Sequence, residues 1–256
     1  MPCYDEAERL PVSAFLDFLE THELRLVFVD DGSRDETLRV LSAMKDRSSR
    51  VDVLPLAQNS GKGEAVRLGM LHALDAGASI VGFIDADLAT PLEELWRLLE
   101  VLRDPKIAVV TAARVGLHGW TIERKVMRHY IGRVFATGAA LILRRRYYDT
   151  QCGAKLFRKN AQLAAALEAP FASRWIFDVE LLGRLIHGNR TVAGLGCDAI
   201  VEHPVQGWRD VRGSKLGMRA MMRTPLELLK TANALTRYRT SGTSSARSEQ
   251  ARDVER

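Results

Sequence analysis

Two carboxylates one residue apart follow an apolar run in the first half of the sequence. Asp85 and Asp87 come directly after Ile80–Ile84, in the order Asp85-Ala86-Asp87. On a strand, residues i and i+2 point to the same side, so the two carboxylates would face one space. A hard divalent ion such as Mg²⁺ or Mn²⁺ takes oxygen ligands, and it can stabilise a diphosphate leaving group. Most such triplets are loops or helix caps, and the position at a strand end is what favours a metal site here.

A second acidic group ends an earlier apolar run. Asp30-Asp31-Gly32-Ser33 follows the β-rich segment Leu24–Val29. In a functional interpretation, the Asp30 carboxylate accepts hydrogen bonds from a base or a ribose. In a structural one, the segment is a turn, and Ser33 with Glu36 forms a capping box at the start of a helix. The residues alone leave both interpretations open.

A basic, glycine-containing loop adds a candidate phosphate contact. Gly61-Lys62-Gly63 fails the P-loop pattern because Gly63 stands where Ser or Thr is needed, and it fails G-x-G-x-x-G because position 66 is Val. A Walker ATPase and a classical dinucleotide site are therefore not supported. Lys62 remains a candidate for a loop near an anionic ligand.

The elements that must position these residues alternate along the first half of the chain. Apolar runs separated by helix patterns predict a mostly parallel sheet with helices on both faces. Ligands of such sheets bind at the carboxyl ends of the strands, where both acidic groups fall. Strands are predicted at Leu24–Val29, Val51–Leu54, Ile80–Ile84 and Ile107–Thr111. Helices are predicted from the Ser33–Glu36 box to about Lys45, from Gly61 to about Ala76, and from a Thr90 cap with Pro91 in the first turn to about Arg103.

The second half has a different pattern, dominated by helices. Helices are predicted over Thr121–Leu143, Ala161–Leu167, Phe177–His187 and the amphipathic segment 218–237. Strand pieces are predicted over Thr191–Gly194 and Ala199–Val201, and Tyr147–Arg158 is a polar segment. These elements predict one domain over residues 1–217, an amphipathic helical extension over 218–239 and a disordered tail over 240–256. Residues 2–6 look like the loop after a first strand, which predicts a truncated first strand or a start further upstream.

Charge and cysteine content narrow the function classes. The net charge of +5 hides −9 on residues 1–100 and +14 on residues 101–256, so we expect the second half to meet something anionic: nucleic acid, membrane or phosphate. Three cysteines without a C-x-x-C pair argue against a disulfide scaffold or a structural zinc site and fit a reducing compartment. No apolar run is long enough to span a bilayer, and the first residues do not form a signal peptide.

The order of the motifs resembles glycosyltransferase family 2, which has a GT-A fold. The motifs of the first half are Pro2-x-Tyr4-x-Glu6, Val29–Ser33, Asn59-x-Gly61-Lys62-Gly63 and Asp85–Leu88. Asp149–Phe157, Arg174–Leu182 and Gly213–Leu216 are similar to segments of dolichyl-phosphate β-glucosyltransferases and their bacterial polyprenyl-phosphate relatives. The resemblance covers about residues 1–230. Two positions depart from the usual pattern, since Asp5 replaces an Asn and Ala89 stands where mannosyl-transferring relatives often have Gln.

The resemblance implies an inverting transfer of glucose from UDP-glucose to a polyprenyl or dolichyl phosphate, assisted by Mg²⁺ or Mn²⁺. A phosphate acceptor is already ionised near neutral pH, so positioning and charge neutralisation would carry the catalysis. The resemblance implies that the nucleoside is held by Pro2, Tyr4, Glu6 and Asp30, that Asp85 contacts the ribose, the diphosphate or the metal, and that Asp87 binds the metal. It implies that the donor phosphates are held by Lys62 and Arg114, and that the acceptor or a sugar hydroxyl is oriented by Asp149 and Asp178. The lipid phosphate would be bound by Arg128, Arg133 and Lys155.

Three other functions stay open at the level of sequence. One is a family-2 transferase with a soluble or polysaccharide acceptor, and another is a truncated, non-catalytic nucleotide-sugar binder. A nucleic-acid binder would explain the net charge of +14 on residues 101–256, but the chain lacks a recognisable basic and aromatic recognition module. The preferred interpretation predicts a cytoplasmic protein, peripheral at the inner face of the membrane, with a nucleotide sugar and a lipid phosphate as partners and no nucleic acid. It leaves homo-oligomerisation open.

Overall fold

A computed structural model describes residues 1–115, 121–122, 126–209 and 224–240, without the side chains of 121–122, 126–134 and 224. Strands and helices alternate through most of it. The strands are β1 (Pro2–Cys3), β2 (Leu26–Asp30), β3 (Val51–Pro55), β4 (Ile80–Ile84), β5 (Val109–Ala113), β6 (Thr121–Ile122), β7 (Ala154–Arg158), β8 (Ile200–Pro204) and β9 (Gly207–Trp208). The helices are α1 (Val12–Thr21), α2 (Thr37–Arg47), α3 (Lys62–Asp75), α4 (Glu93–Val101), α5 (Val126–Leu143), α6 (Ala161–Leu167), α7 (Phe177–His187) and α8 (Thr224–Thr240).

The first half forms a parallel sheet in the order β1-β2-β3. Pro2 pairs with Val29 and Cys3 with Asp30, which sets the loop after β1 beside the acidic end of β2. Residues 2–3 are therefore a short strand rather than part of a loop. The register continues with Leu26 opposite Val51 and Asp30 opposite Pro55.

The second sheet contains the main topological surprise. Its order is β4-β7-β5-β8, and β7 runs antiparallel to both of its neighbours while β5 and β8 are parallel. The prediction of an α/β fold with a mostly parallel sheet is confirmed. The segment Tyr147–Arg158, predicted only as polar, contains an unpredicted strand, because Ala154–Arg158 lies inside the sheet. Two polar or charged side chains, Lys155 and Arg158, hide this strand from an apolar pattern.

Two hydrophobic clusters hold the layers together. One contains buried residues from both sheets, among them Cys3, Phe28, Ile84 and Val110, so the sheets share this core. The other packs the side chains of α3, α5, α6 and α7 against the second sheet. Leu235 of α8 meets Gly183 of α7, where an added Cβ would lie 2.5 Å from the leucine. Gly183 in α7 thus lets α8 pack closely.

Three local predictions are corrected. The Ser33–Glu36 box does not cap α2, which begins at Thr37 without a side-chain cap, because the Ser33 hydroxyl is bonded to Asp30. Thr90 does not cap α4, which begins at Glu93, and its buried hydroxyl contacts the Cys152 sulfur instead. Thr191–Gly194 is not a strand, since the described structure has there a single bridge between Gly188 and Ala193.

The predicted amphipathic extension is helical over the part that is described. α8 begins at Thr224, and residues 218–223, the motif Gly213–Leu216 and residues 241–256 lie outside the described residues. None of the described helices has the length and apolarity needed to cross a bilayer.

Candidate active site

The first turn of α3 meets the end of β4 at the centre of the candidate site. Lys62 is the first residue of α3, and its Nζ lies 2.6 Å from Asp85 Oδ1. Gly61 precedes it with φ +96°, and an added Cβ would lie 2.5 Å from Nε of Arg174. Only glycine suits that conformation and that approach, so the Gly61-Lys62 pair fixes where the lysine begins.

Three carboxylates surround the Lys62 ammonium electrostatically. Burial by itself would lower the pKa of Lys62, but Asp85, then Asp178 and Asp87, outweigh that effect and raise the pKa above its usual value. The ammonium therefore stays charged at neutral pH. The sequence placed these residues on separate segments, and the structure brings them to one place.

Asp85 is held in position from the side of β7. Its backbone N–H donates to Gly153 O at 3.0 Å, and an added Cβ on Gly153 would lie only 2.3 Å from Asp85 Oδ2. The carboxylate consequently lies flat against a position that only glycine can occupy. This contact explains physically why the segment Asp149–Phe157 belongs to the site.

Asp87 follows in a turn rather than on a strand. β4 ends at Ile84, Leu88 has φ +50°, and Ala89 N donates to Asp87 Oδ1 at 3.0 Å. Burial and then the neighbouring Asp85 raise the pKa of Asp87 above its usual value. The negative charge of Asp85 thus disfavours ionisation of Asp87, and a cation beside both carboxylates would relieve this effect.

The residues present fit a divalent ion only in part. Asp85 and Asp87 supply hard oxygen ligands, and no described donor makes a well-aligned hydrogen bond to Asp85 Oδ1 despite the nearby Lys62. Among the described residues, no cluster of three His, Cys, Asp or Glu side chains could enclose an ion. The remaining ligands of an ion at Asp85 and Asp87 would therefore come from water and a substrate phosphate.

The residues predicted to hold a nucleoside lie together at the ends of β1 and β2. Pro2 is in β1, Tyr4 is partly exposed, and Glu6 is paired with Arg9 at 2.7 Å. Asp30 is buried and accepts hydrogen bonds from Ser33. The structure brings these positions to one edge, and their contact with a nucleoside stays a prediction.

Asp31 is a residue of this region that sequence reasoning passed over. Its carboxylate accepts hydrogen bonds from Ser60 N at 2.6 Å and from Gly61 N at 2.8 Å. It therefore fixes the loop that presents Lys62. Its place in the Val29–Ser33 motif indicated that it could belong to the site, but that motif does not show that its carboxylate binds the loop at residues 60–61.

Arg114 and Asp149 form a bidentate ion pair. Arg114 Nε and Nη2 donate to the two Asp149 oxygens at 2.6 and 2.8 Å, and Arg114 N donates at 3.1 Å. Burial would lower the pKa of Arg114, and the hydrogen bonds to Asp149 reverse this and raise it. The guanidinium also lies over the Trp208 ring. Asp149 thus orients Arg114, whose contact with a donor phosphate stays a prediction.

Lys155 and Asp178 form a buried ion pair beneath the site. Lys155 is 0% exposed, and its Nζ donates to Cys152 O at 2.7 Å and to Asp178 Oδ2 at 3.1 Å. The expectation that Lys155 touches a lipid phosphate is not supported at this position, because its ammonium is enclosed and already bonded. Arg128 and Arg133 belong to α5, but their side chains lie outside the described residues.

A second contact missed by sequence reasoning joins the two halves of the chain. Arg174 Nη2 donates to Asn59 O at 2.9 Å and also to the Asn59 side chain, while Gly63 N donates to Arg174 O at 3.1 Å. An added Cβ on Gly63 would lie 2.7 Å from Phe177 Cβ. The first turns of α3 and α7 are therefore locked together, which puts Lys62 near Asp178.

Comparisons with known proteins agree with this geometry. A family model described as "Glycosyl transferase family 2" matches residues 1–162. The human dolichyl-phosphate β-glucosyltransferase is 32% identical over 233 residues, which cover 84% of this chain and 68% of that protein. A dolichyl-phosphate β-glucosyltransferase of Trichomonas vaginalis is 28% identical, over 91% of this chain and 71% of its own.

A solved structure has the same fold. It is glucosyl-3-phosphoglycerate synthase from Mycobacterium tuberculosis in complex with Mn²⁺, UDP and glucosyl-3-phosphoglycerate, with a TM-score of 0.62 and 21% identity. The match covers 91% of this chain and 78% of that one. At this identity the likeness supports the fold alone, a GT-A arrangement.

Proposed function

The chain belongs to glycosyl transferase family 2, and from that membership we propose that it transfers glucose from UDP-glucose to a polyprenyl or dolichyl phosphate. The observation that carries the proposal is the meeting of Lys62 with Asp85 at the end of β4, backed by Gly153 of the Asp149–Phe157 segment. That segment resembles a motif of the dolichyl-phosphate enzymes, and in our proposal it supports the wall of the candidate donor site.

In the proposed reaction, an oxygen of the lipid phosphate attacks the anomeric carbon of the donor sugar. A new carbon–oxygen bond forms, the bond from that carbon to the diphosphate breaks, and UDP leaves with the electron pair, so the configuration inverts. The attacking oxygen is already ionised, and no side chain has to remove a proton from it. The protein's contribution is alignment and neutralisation of negative charge.

The chain's own residues divide the work of charge neutralisation. Asp85 and Asp87 would hold Mg²⁺ or Mn²⁺, which supplies electrostatic stabilisation of the departing diphosphate. Lys62 and Arg114 bring permanent positive charge to the same edge, and Asp149 fixes the direction of the Arg114 guanidinium. Lys155 holds Asp178 at the first turn of α7, on the side we assign to the acceptor. Arg128 and Arg133 remain our candidates for the lipid phosphate.

An exposed apolar surface next to α7 supports a lipid acceptor. We name it the apolar edge: Trp175, Leu226 and Leu229, which are 44%, 54% and 69% exposed. The Ser173 hydroxyl joins its two parts, because it accepts from Trp175 N at 3.3 Å and donates to Glu227 of α8 at 2.8 Å. Since Asp178 lies in the first turn of α7, the apolar edge is near the acceptor side.

The charges around the apolar edge fit an anionic membrane surface. Lys230, Arg237 and Arg239 of α8 are exposed, and basic side chains near such a surface are each worth about 1 kcal/mol. We therefore propose a peripheral association with the cytoplasmic face of a membrane, through the apolar edge and α8.

The test is a transfer assay with defined donors and acceptors. Purified protein with MgCl₂ or MnCl₂ is given UDP-glucose or GDP-mannose, together with undecaprenyl or dolichyl phosphate. We expect a glucosylated lipid phosphate and released UDP. Transfer only to a soluble phosphorylated acceptor, or no glycolipid from any pair, would contradict the proposal.

A further inference from the structure

We propose that Lys62 is a built-in cation that occupies the carboxylate site of the donor-free protein, so that a divalent ion binds together with the donor diphosphate rather than before it. The inference rests on the metal-assisted transfer proposed above. It concerns what the chain does before any sugar is transferred, and its readout is ion binding.

Asp85 is anchored beside the lysine through its backbone. Its backbone is tied to Gly153 O, and its Oδ2 lies against the Gly153 Cα, where even one methyl group would collide. Lys62, by contrast, has a four-carbon stem with free rotation, and its side chain is 26% exposed. If the pair opens, the lysine swings and the carboxylate stays.

Lys62 balances negative charge in the donor-free site. Asp85 and Asp87 are both partly buried and lie two residues apart, so without a cation the site would hold two neighbouring negative charges. Asp178 has its own partner in Lys155 at 3.1 Å. Among the described ion pairs, the one that Asp85 forms is with Lys62, whose Nζ lies 2.6 Å from Asp85 Oδ1.

Lys62 and a divalent ion compete for the Asp85 carboxylate. An ammonium and a divalent ion on the same carboxylate repel each other, and in a partly buried site this repulsion is only weakly screened. A diphosphate resolves the conflict, because it ligates the ion and gives the displaced ammonium a new anionic partner. Ion and diphosphate therefore bind cooperatively, and the coupling is reciprocal.

The experiment measures Mn²⁺ binding in the absence of any sugar donor. Free Mn²⁺ is followed by electron paramagnetic resonance during titration of the full chain, first alone and then with saturating UDP. The variants are Lys62→Met, which removes the charge at similar length, and Lys45→Met. The second is a matched control, since it removes a lysine that is ion-paired with Asp52 at 2.7 Å on the surface.

We expect Lys62→Met to bind Mn²⁺ at least about tenfold more tightly than the wild type without UDP. With UDP the advantage shrinks or reverses, because the lysine then has a phosphate to bind. Lys45→Met should match the wild type, and adding Asp85→Asn to Lys62→Met should remove the gain.

Equal or weaker Mn²⁺ binding by Lys62→Met without UDP overturns the proposal, as does an equal gain in Lys45→Met. Thermal unfolding establishes that the variant is folded, and Lys62→Gln replaces it if it is not. A protein that shows the Mn²⁺ shift but makes no glycolipid contradicts only the proposed function. A protein that makes glycolipid without the shift contradicts only this inference.

Discussion

At the scale of single residues, the site depends on the absence of a side chain at Gly153. The absent side chain lets the Asp85 carboxylate lie against β7, within reach of Lys62. A close approach of this kind explains a glycine in a segment that is otherwise rich in side-chain contacts.

We predict that Gly153→Ala lowers transfer by about tenfold or more, because misplacing a reacting or binding group by a fraction of an ångström is costly. The added methyl would lie 2.3 Å from Asp85 Oδ2 and must displace it. The control is Gly196→Ala, where an added Cβ meets nothing within 4 Å. Kinetics with UDP-glucose check this, and equal rates for the two variants would refute the role given to Gly153.

We expect Asp87 to lower the stability of the folded protein at neutral pH, although transfer requires its carboxylate. Burial and Asp85 raise its pKa in the folded protein above the ordinary 3.8. Between those two pKa values the folded state binds more protons than the unfolded state, so this residue favours folding more as pH falls and disfavours it at neutral pH.

We therefore predict that Asp87→Asn melts a few degrees higher than the wild type at pH 7 without metal, and that the difference narrows towards pH 4. The same variant should lose transfer by at least about a hundredfold, since a neutral amide is a poor ligand for Mg²⁺ or Mn²⁺. Thermal unfolding at several pH values and the glycolipid assay provide both readouts. A lower melting temperature with near-normal turnover would contradict both assignments.

At the scale of elements, the site is the place where α3, α7 and β7 meet. Gly61 and Gly63 allow the first turn of α3 to pack against Arg174 and Phe177 at the start of α7. The buried pair of Lys155 and Asp178 then ties α7 to β7. These contacts join segments that are distant in the sequence, so the packing of α3, α7 and β7 against one another positions the side chains of the site.

Breaking the buried pair from one side should be costly. We predict that Lys155→Met destabilises the protein by about 3–5 kcal/mol, because it leaves the Asp178 carboxylate buried without its cation. Lys155→Met with Asp178→Asn should recover part of this loss. Urea denaturation measures both, and Lys159→Met, an exposed lysine four residues along, serves as the control. A loss below about 1 kcal/mol for Lys155→Met would show that the pair is not enclosed as described.

At the scale of the whole molecule, charge and apolar surface are unevenly divided. Residues 1–100 carry −9 and hold most of the donor-side carboxylates, and residues 101–256 carry +14. The apolar edge lies on the basic half, partly on α8, which packs against α7 through Leu235 and Gly183. Such a division fits one face for a metal-bound diphosphate and another for an anionic lipid surface.

The apolar edge gives a prediction for membrane binding. Leu229→Glu should reduce sedimentation with phosphatidylglycerol vesicles several-fold, because it places a charge at the contact and repels the anionic headgroups. Leu38→Glu makes the same change at an exposed leucine of α2, on the acidic half, and should leave sedimentation unchanged. Equal retention of both variants would mean that the membrane does not contact α8.

The local pattern of apolar and polar residues in the sequence was enough to predict many of the strands and helices. The strand Ile80–Ile84 and the helices over 161–167 and 177–187 were predicted with their observed bounds, because continuous apolar runs and helical periodicity are properties of neighbouring residues. The acidic residues at strand ends followed from the same reasoning, since the carboxyl ends of parallel strands share an edge. The motif order then indicated the family.

Only the tertiary structure decided which strands and which side chains pair with each other. It placed β7 antiparallel within the sheet, paired Lys62 with Asp85, Arg114 with Asp149 and Lys155 with Asp178, and enclosed a lysine that sequence reasoning had assigned to the lipid. In the folded protein, the Ser33 hydroxyl also donates a hydrogen bond to Asp30 rather than capping a helix. These outcomes depend on which distant segments become neighbours, and a charged side chain takes the partner that packing leaves within reach. No periodicity along the chain encodes that choice.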